Sequence, residues 1–355
     1  SDFTLNGYLK GFFNYFLNKK GKLNLIAELQ SNTIDFDNII ETSNDKGDTL
    51  QPLDNAYLKS IQFNINAIVK NVKWGKFNFK NTSGNIMHND LVFQARTLKG
   101  EIAKGGFVLN GQLDTRDIND VDLSTTTTVD GIMIDSIFYF FNNFNEDFIT
   151  YKNIKGSLHL EASTKMKFDK YLNLKPETLI ADLDIMVRNG ELNDFEPMQN
   201  MSKFIDSDEL RNIKFAELHD KIHIENEKIE IPELTIKSSV STIALRGTHT
   251  FDQKIYYKVK VPVKNLKPSK KKEAESAYED GINGSIVHLI ISGTTSDFEI
   301  KYDKKQTKEI VEEKVKGEIK TIKEIIKGDF QEEEEEQIGL DEEEFFEFDE
   351  DTTKF

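Results

Sequence analysis

Side chains that commonly perform chemistry are sparse in this sequence, and none falls in a known catalytic pattern. The chain has six histidines and no cysteine, and it lacks the GxSxG, HExxH, Walker A and strand-following GxGxxG patterns. His219 and His223 are four residues apart, but in strand-like sequence that spacing separates the two side chains by about 13 Å. One metal ion is too small to bridge them. We therefore expect no metal site, no cofactor and no enzymatic activity.

The negative charge of the chain is concentrated at its C-terminal end. Residues 329–355 contain 14 acidic residues and one lysine, and so account for −13 of the formal net charge of −16. The rest of the chain is nearly neutral, and no basic stripe favours nucleic-acid binding. Residues 329–355 are of low complexity, so we predict a disordered acidic tail there.

The elements that must position any site are strands with one apolar face. Apolar residues take every second position in residues 23–29, 61–69, 158–168, 179–187 and 255–263. Asn189-Gly190 is predicted to end one of these strands. Helical spacing appears instead at about 129–148, 195–205 and 306–327, whereas residues 11–17 fit a helical turn or a strand equally well.

An internal repeat is visible among the shorter strands. Residues 77–115 align with residues 215–251, and each copy reads strand, turn, strand and a closing strand with a central glycine. The pattern predicts duplicated β units stacked edge to edge. We assign a first unit to residues 1–128, a second to 129–303, an amphipathic helix to 304–328 and the tail to 329–355. The amphipathic helix fits a lid, a membrane-surface helix or simple packing on the sheet.

One long segment resembles a known family. NGELNDFEPMQNMSKF, followed by LRNIKFAELHDKIHIENEKIEIPELTIKSSVSTIALRGTHTFDQKIYYKVKV, is similar to the C-terminal region of AsmA-like proteins, above all the form found in the Bacteroidetes group of Gram-negative bacteria. The resemblance extends more loosely from about Phe3 to Tyr302. It implies a mainly β fold, in which a long curved antiparallel sheet forms a groove, with short edge helices and a C-terminal amphipathic helix.

The resemblance also implies a function and a location. AsmA-like proteins look like bridge-type carriers that move phospholipid between the inner and outer membranes. We therefore expect a periplasmic segment that binds phospholipid acyl chains and that is tethered to the inner membrane through an N-terminal anchor, missing from this fragment. Other envelope proteins are possible partners, and nucleic acid is not expected.

The strand pattern independently predicts that apolar groups cover the apolar face of the sheet. At least eight strands have one apolar face, and few helices are available to cover them. The sheet must close as a sandwich or curl around an apolar ligand, and a half-enclosed 16-carbon chain would gain roughly 6 kcal/mol at ~0.8 kcal/mol per methylene. The residues expected to line such a groove are Phe63, Ile65, Val69, Leu158, Leu160, Leu183, Ile185, Val187, Val259 and Val261.

Two alternatives remain open at this point. One is a non-enzymatic envelope assembly or scaffold protein whose sheet is a closed β-sandwich, with the same ten residues as its dry core. The other is a hydrolase with an unrecognised site.

Overall fold

The structure, a computed structural model, describes residues 2–18, 21–37, 55–147, 149–195, 199–200, 211–239, 242–262 and 286–303, and the statements below concern those residues. The strands are β1 (Asp2–Lys10), β2 (Leu23–Asp35), β3 (Ile61–Trp74), β4 (Phe77–Asn89), β5 (Val92–Ile102), β6 (Gly105–Asp114), β7 (Val121–Met133), β8 (Ile154–Phe168), β9 (Leu174–Asn193), β10 (Asn212–Glu225), β11 (Lys228–Lys237), β12 (Thr242–Thr250), β13 (Lys254–Pro262), β14 (Ile286–Thr294) and β15 (Phe298–Tyr302). The helices are α1 (Phe12–Asn18) and α2 (Ile134–Phe140), with short 3₁₀ turns at Leu58–Ser60 and Asn142–Asn145.

The protein is mainly β, as the sequence predicts, and its fifteen strands form one open sheet. Each strand pairs with its neighbours in sequence order, so β1 and β15 are the two edges of the sheet. The prediction of an antiparallel sheet is wrong at one place, because β2 and β3 pair in parallel. A parallel pair needs a long crossover, and residues 36–60 supply it. Helices in the described ranges are all too short or too polar to cross a membrane.

The pairing register defines two faces that run through the whole sheet. Directly paired residues point to the same face, so each pair passes the face assignment to the next strand. Leu25 pairs with Phe63, and Phe63 pairs with His88, which in turn pairs with Phe93. One face, called here the apolar face, collects the alternating apolar residues. The opposite face, called the polar face, collects their polar neighbours.

Two predicted element boundaries are wrong. β9 does not end at Asn189-Gly190 but continues to Asn193, because Gly190 pairs with Phe215 of β10 and Glu191 pairs with both β8 and β10. Gly190 is needed there for close packing, since a Cβ would lie 2.0 Å from the ring of Phe215. The helix predicted to begin near Val129 begins at Ile134, because residues up to Met133 continue pairing with β8. Of residues 11–17, left open by the sequence, residues 12–17 form α1 together with Asn18.

The internal repeat corresponds to equivalent strands with equivalent irregularities. The first copy forms β4–β6 and the second forms β10–β12. Asp90 and Leu91 turn the chain with positive φ in the first copy, and Asn226 and Glu227 do so at the equivalent place in the second. A bulge follows in each copy, between Ala95 and Leu98 and between Ile231 and Leu234. The matched turns and bulges support a duplication, because each needs its own backbone geometry.

Several predictions concern parts of the chain that the structure leaves undescribed. The amphipathic helix at 304–328, the tail at 329–355 and most of the helix at 195–205 lie outside the described residues. The proposed division between residues 128 and 129 falls inside β7, which pairs with β6 on one side and β8 on the other.

Candidate functional site

All ten residues predicted to line a groove belong to the apolar face. Three lie in β3, two in β8, three in β9 and two in β13. Leu158 pairs directly with Val187, and Leu160 pairs with Ile185, so β8 and β9 form one continuous apolar surface. The register carries this surface from β3 through β9 to β13. The alternation in the sequence therefore assigned these residues to one face, but their cover differs along the sheet.

The apolar-face residues of β1–β6, called here the N-terminal face, are only partly covered. Phe63 and Ile65 are half-buried, and so are their direct neighbours Leu25 and Ile86. Val69 is buried in this region, next to the small residue Ala67. The larger side chains thus keep apolar surface that faces away from the sheet.

Helix α2 covers the apolar face in the middle of the sheet. Ile134, Ile137 and Phe138 pack into a cluster with Leu158 and Val187, which are 4% and 2% exposed. Leu160 and Ile185 contact the same cluster from its margin and remain half-buried, as does the neighbouring Leu183. The middle of the face is therefore partly closed by the protein itself.

The apolar face of the last strands is closed. Val259 and Val261, at 1% and 0% exposure, belong to a cluster of buried residues called here the C-terminal cluster. Its members are Ile213, Ile243, Ile255, Tyr257, Val259, Val261, Leu289 and Ile291. Val259 and Val261 are therefore buried in this cluster, and their place in a lipid-lining surface stays a prediction.

Buried polar groups on the apolar face went unnoticed in the sequence reasoning. Asp220 pairs with Ile185 and is 9% exposed. Its Oδ1 accepts a hydrogen bond from the backbone N–H of Lys221 at 2.8 Å, whereas Oδ2 has no partner. Burial raises the pKa of Asp220. The sequence signal was available, since Asp220 falls in phase with Leu218 and Ile222.

A second buried polar group, His88, lies on the N-terminal face. It is 1% exposed, with its ring centroid 5.4 Å from that of Phe63 and 4.3 Å from that of Phe93. Neither ring nitrogen has a partner at hydrogen-bonding geometry. Burial lowers the pKa of His88, although the nearby Ile61 backbone partly opposes the shift. The ring is therefore neutral and packs as an aromatic side chain.

A third polar group touches the C-terminal cluster. Glu146 Oε1 lies 3.7 Å from His249 Nε2, and the Tyr257 hydroxyl lies 3.4 Å from His249 Nδ1. Burial raises the pKa of Glu146 and lowers the pKa of His249. Both shifts disfavour the charged forms, which weakens an ion pair between Glu146 and His249.

The polar face contains cross-strand ladders rather than a reactive cluster. His219 Nε2 lies 2.6 Å from Asp184 Oδ1, and His223 Nδ1 lies 2.8 Å from Asp182 Oδ1. The hydrogen bond to Asp182 raises the pKa of His223. Each histidine thus has its own carboxylate one strand away. In the part of the chain that the structure describes, no three His, Asp or Glu side chains are close enough together to hold a metal ion.

Fold and site together define a class of protein: an open, mainly antiparallel sheet whose single apolar face is partly uncovered at one end and closed at the other. Comparison with protein-family models, with curated proteins and with solved structures finds no match to this chain. The argument for function therefore depends on the apolar face itself.

Proposed function

We propose that the apolar face of this sheet binds phospholipid acyl chains and that the chain is the periplasmic, non-enzymatic segment of an AsmA-like bridge-type carrier. In that role it moves phospholipid between the inner and outer membranes, tethered to the inner membrane by an N-terminal anchor. The sheet curls around the acyl chains as a groove, and the headgroup stays at the open edge in water.

The observation that carries the proposal is the partial exposure of large apolar side chains on one face, in the neighbouring strands β2–β4 and again in β8 and β9. Phe63 and Ile65 in β3 and Leu160, Leu183 and Ile185 in β8 and β9 are all half-buried on the same face. Contiguous apolar surface of this kind commonly marks an interaction site. An acyl chain suits it because methylenes need no hydrogen bonds, whereas a protein partner brings backbone groups that do.

The strength of binding that such a surface gives suits transport. Each buried methylene contributes ~0.8 kcal/mol, so a chain that is half-enclosed by the face gains several kcal/mol. That free energy keeps the chain out of water but opposes sliding only weakly, because one methylene exchanges for the next along the face. The other five residues expected to line the groove, Val69, Leu158, Val187, Val259 and Val261, lie on the same face and are buried.

Photo-crosslinking from neighbouring positions of one strand tests the proposal. A benzophenone amino acid replaces Phe63 on the apolar face or Asn64 on the polar face, in the full chain expressed in the periplasm of a Gram-negative host. We expect a phospholipid adduct by mass spectrometry from position 63 and none from position 64. Equal labelling from both positions, or no adduct from either, would contradict lipid binding on this face.

A pair of substitutions separates a ligand surface from a closed core. Ile65→Asn with Ile185→Asn should remove bound phospholipid in native mass spectrometry while the circular dichroism spectrum stays that of a β protein. Ile68→Asn is the matched control, because Ile68 lies on the polar face of the same strand and is 59% exposed. Unfolding of the double variant, together with lipid-free wild type, would show that Ile65 and Ile185 are closed core.

The C-terminal cluster favours a second candidate function. Its fully buried members pack as the core of a closed sheet does, which is what an envelope assembly or scaffold protein requires. If the lipid tests above fail, this scaffold function is the one to pursue, with other envelope proteins as partners.

A further inference from the structure

The connection between β1 and β2 carries an unusual helix. Lys10 pairs with Asn24, so α1 lies at the ends of two paired strands. Gly11 and Gly21, with φ of +82° and +118°, stand before and after it, and each has a backbone conformation that other residues rarely adopt. Glycines in conformations that favour glycine therefore stand on both sides of the helix, at the end of the sheet.

The apolar side of α1 faces solvent. Phe12, Phe13, Phe16 and Leu17 are 46%, 73%, 57% and 75% exposed. These positions are related by spacings of one and four residues, so they form one stripe along the helix. The opposite side holds Asn14 and the half-buried Tyr15, and a Cβ on Gly21 would lie 3.3 Å from the Cβ of Asn14. A surface helix normally packs its apolar side on the protein and exposes its polar side to water.

The charge around α1 differs from that of the rest of the chain. The sequence from Phe3 to Ala27 contains lysines but no acidic residue, although the whole chain has a formal net charge of −16. Lys10 and Lys22 flank the helix, Lys10 over the ring of Tyr8 at 5.2 Å and Lys22 beside the exposed carboxylate of Asp90. An exposed pair such as Lys22 with Asp90 binds weakly and leaves the lysine able to meet another anion.

We propose that α1 docks the protein on an anionic phospholipid surface. The aromatic stripe inserts at the level of the headgroups and upper acyl chains, and Lys10 and Lys22 lie at the level of the phosphates. Exposed aromatic residues next to lysines are the composition of interfacial membrane-binding segments. A second copy of the chain suits the stripe less well, because the flanking lysines of two copies would repel one another. This docking does not depend on the lipid-carrying function, since a scaffold protein would dock in the same way.

Vesicle co-sedimentation of the full chain tests the docking. We expect binding to vesicles of phosphatidylcholine mixed with phosphatidylglycerol and much weaker binding to phosphatidylcholine alone. Phe13→Ser with Leu17→Ser should lower the partition coefficient by about tenfold or more, because two apolar side chains no longer insert. Ile68→Ser removes an exposed apolar side chain (59% exposed) from the polar face of β3 and should leave binding unchanged.

The contribution of the lysines to vesicle binding is tested by separate variants. Lys10→Gln with Lys22→Gln should weaken binding to the anionic vesicles about fivefold per lysine and reduce its dependence on salt. Lys80→Gln with Lys165→Gln, which removes two exposed lysines from other strands, is the matched control. Equal effects of the two pairs would contradict docking at α1, since any loss of positive charge would then suffice.

A fluorescence reporter gives a second readout. Because Trp74 is the single tryptophan, a Trp74→Phe, Phe13→Trp variant carries its only indole in the stripe. We expect a blue shift of its emission with anionic vesicles. Absence of that shift, or binding that survives the Phe13→Ser, Leu17→Ser change, would overturn the proposal. Light scattering gives a further test of the Phe13→Ser, Leu17→Ser variant. If this variant loses self-association but still binds vesicles, the stripe is a contact between copies of the chain and the proposal is overturned.

Discussion

The two ends of the apolar face have the same alternating pattern but different cover. On the N-terminal face the large residues Phe63 and Ile65 stay half-buried, and two of the buried residues in those strands are alanines, Ala27 and Ala67. In the C-terminal cluster Leu289 and Val261 have no exposed surface. Alternation therefore determines which way a side chain points, whereas cover depends on which other side chains lie opposite the face.

The internal repeat extends this comparison to equivalent residues. Phe79 and Phe107 in the first copy have ring centroids 5.4 Å apart and are half-buried. Phe215 and Ile243 at the equivalent places in the second copy are 7% and 4% exposed. Phe79 and Phe107 pack against the cluster that contains Phe215, whereas Ile243 belongs to the C-terminal cluster, so equivalent positions of the two copies are covered to different extents.

The largest expected difference is between two leucines. Leu289→Ala in the C-terminal cluster should lower the free energy of unfolding by about 2–5 kcal/mol, because it leaves a cavity among fully buried neighbours. Leu25→Ala on the half-buried N-terminal face should cost about 1 kcal/mol, because water already reaches part of that side chain. Urea unfolding of both variants measures the difference. Equal costs would mean that the N-terminal face is as closed as the cluster.

Equivalent glycines in the repeat give the next largest difference. A Cβ on Gly247 would lie 2.1 Å from the backbone oxygen of Tyr256, so Gly247→Ala should destabilise by about 2–3 kcal/mol. On Gly111 the nearest atom is Cγ2 of Thr125 at 3.3 Å, which can give way. Gly111→Ala should change stability by less than about 1 kcal/mol in either direction. A similar cost at both positions would argue that the two copies pack alike.

Much of the fold followed from sequence because strand alternation is a local property. The common face of Phe63, Leu158 and Leu183 could be predicted, since each strand's own period assigns its faces. The parallel pairing of β2 with β3 could not, because it depends on the path of the crossover. Nor could the closure around Val259, because burial there depends on residues such as Ile213 that are distant in sequence.

Polar residues in the apolar phase were visible in the sequence but were overlooked. His88 falls two residues after Ile86 in β4, and Asp220 falls two residues before Ile222 in β10. A polar residue in the apolar phase of a strand is also expected to be buried, but alternation of apolar residues alone does not reveal it. Such residues matter because an unbonded buried polar group costs free energy, and it does so in proportion to how dry its surroundings are.

His88 tests how dry the N-terminal face is in its interior. His88→Leu should raise the free energy of unfolding by about 1 kcal/mol, because it removes ring nitrogens that lack partners. Burial lowers the pKa of His88 below 6.5. Just below pH 6.5, His88 is therefore protonated in the unfolded chain more than in the folded protein. Wild type therefore loses stability as the pH falls from 6.5, and the advantage of the variant should grow there. Urea unfolding of His88→Leu and wild type, followed against pH, measures this. His159→Leu, on the polar face with Nδ1 3.3 Å from Asp130, is the control and should not raise the free energy of unfolding at neutral pH.

Asp220 tests whether water is excluded from the middle of the apolar face. Its substitution should change the free energy of unfolding less than any of the substitutions above. Because burial raises its pKa above 3.8, the folded protein favours the protonated acid, and ionisation opposes folding as the pH rises through the folded pKa. Asp220→Asn cannot ionise, so it should stabilise the protein slightly at pH 7, and the gain should vanish below about pH 3.8. Asp182→Asn, on the polar face, is the control, and it should not stabilise the protein at pH 7 because Asp182 accepts a hydrogen bond from His223 at 2.8 Å. Stability curves for Asp220→Asn and wild type that stay parallel from acid to neutral pH would mean that water reaches Asp220 in the folded protein. The apolar face would then be wet between β9 and β10, and an acyl chain would have to bind elsewhere on it.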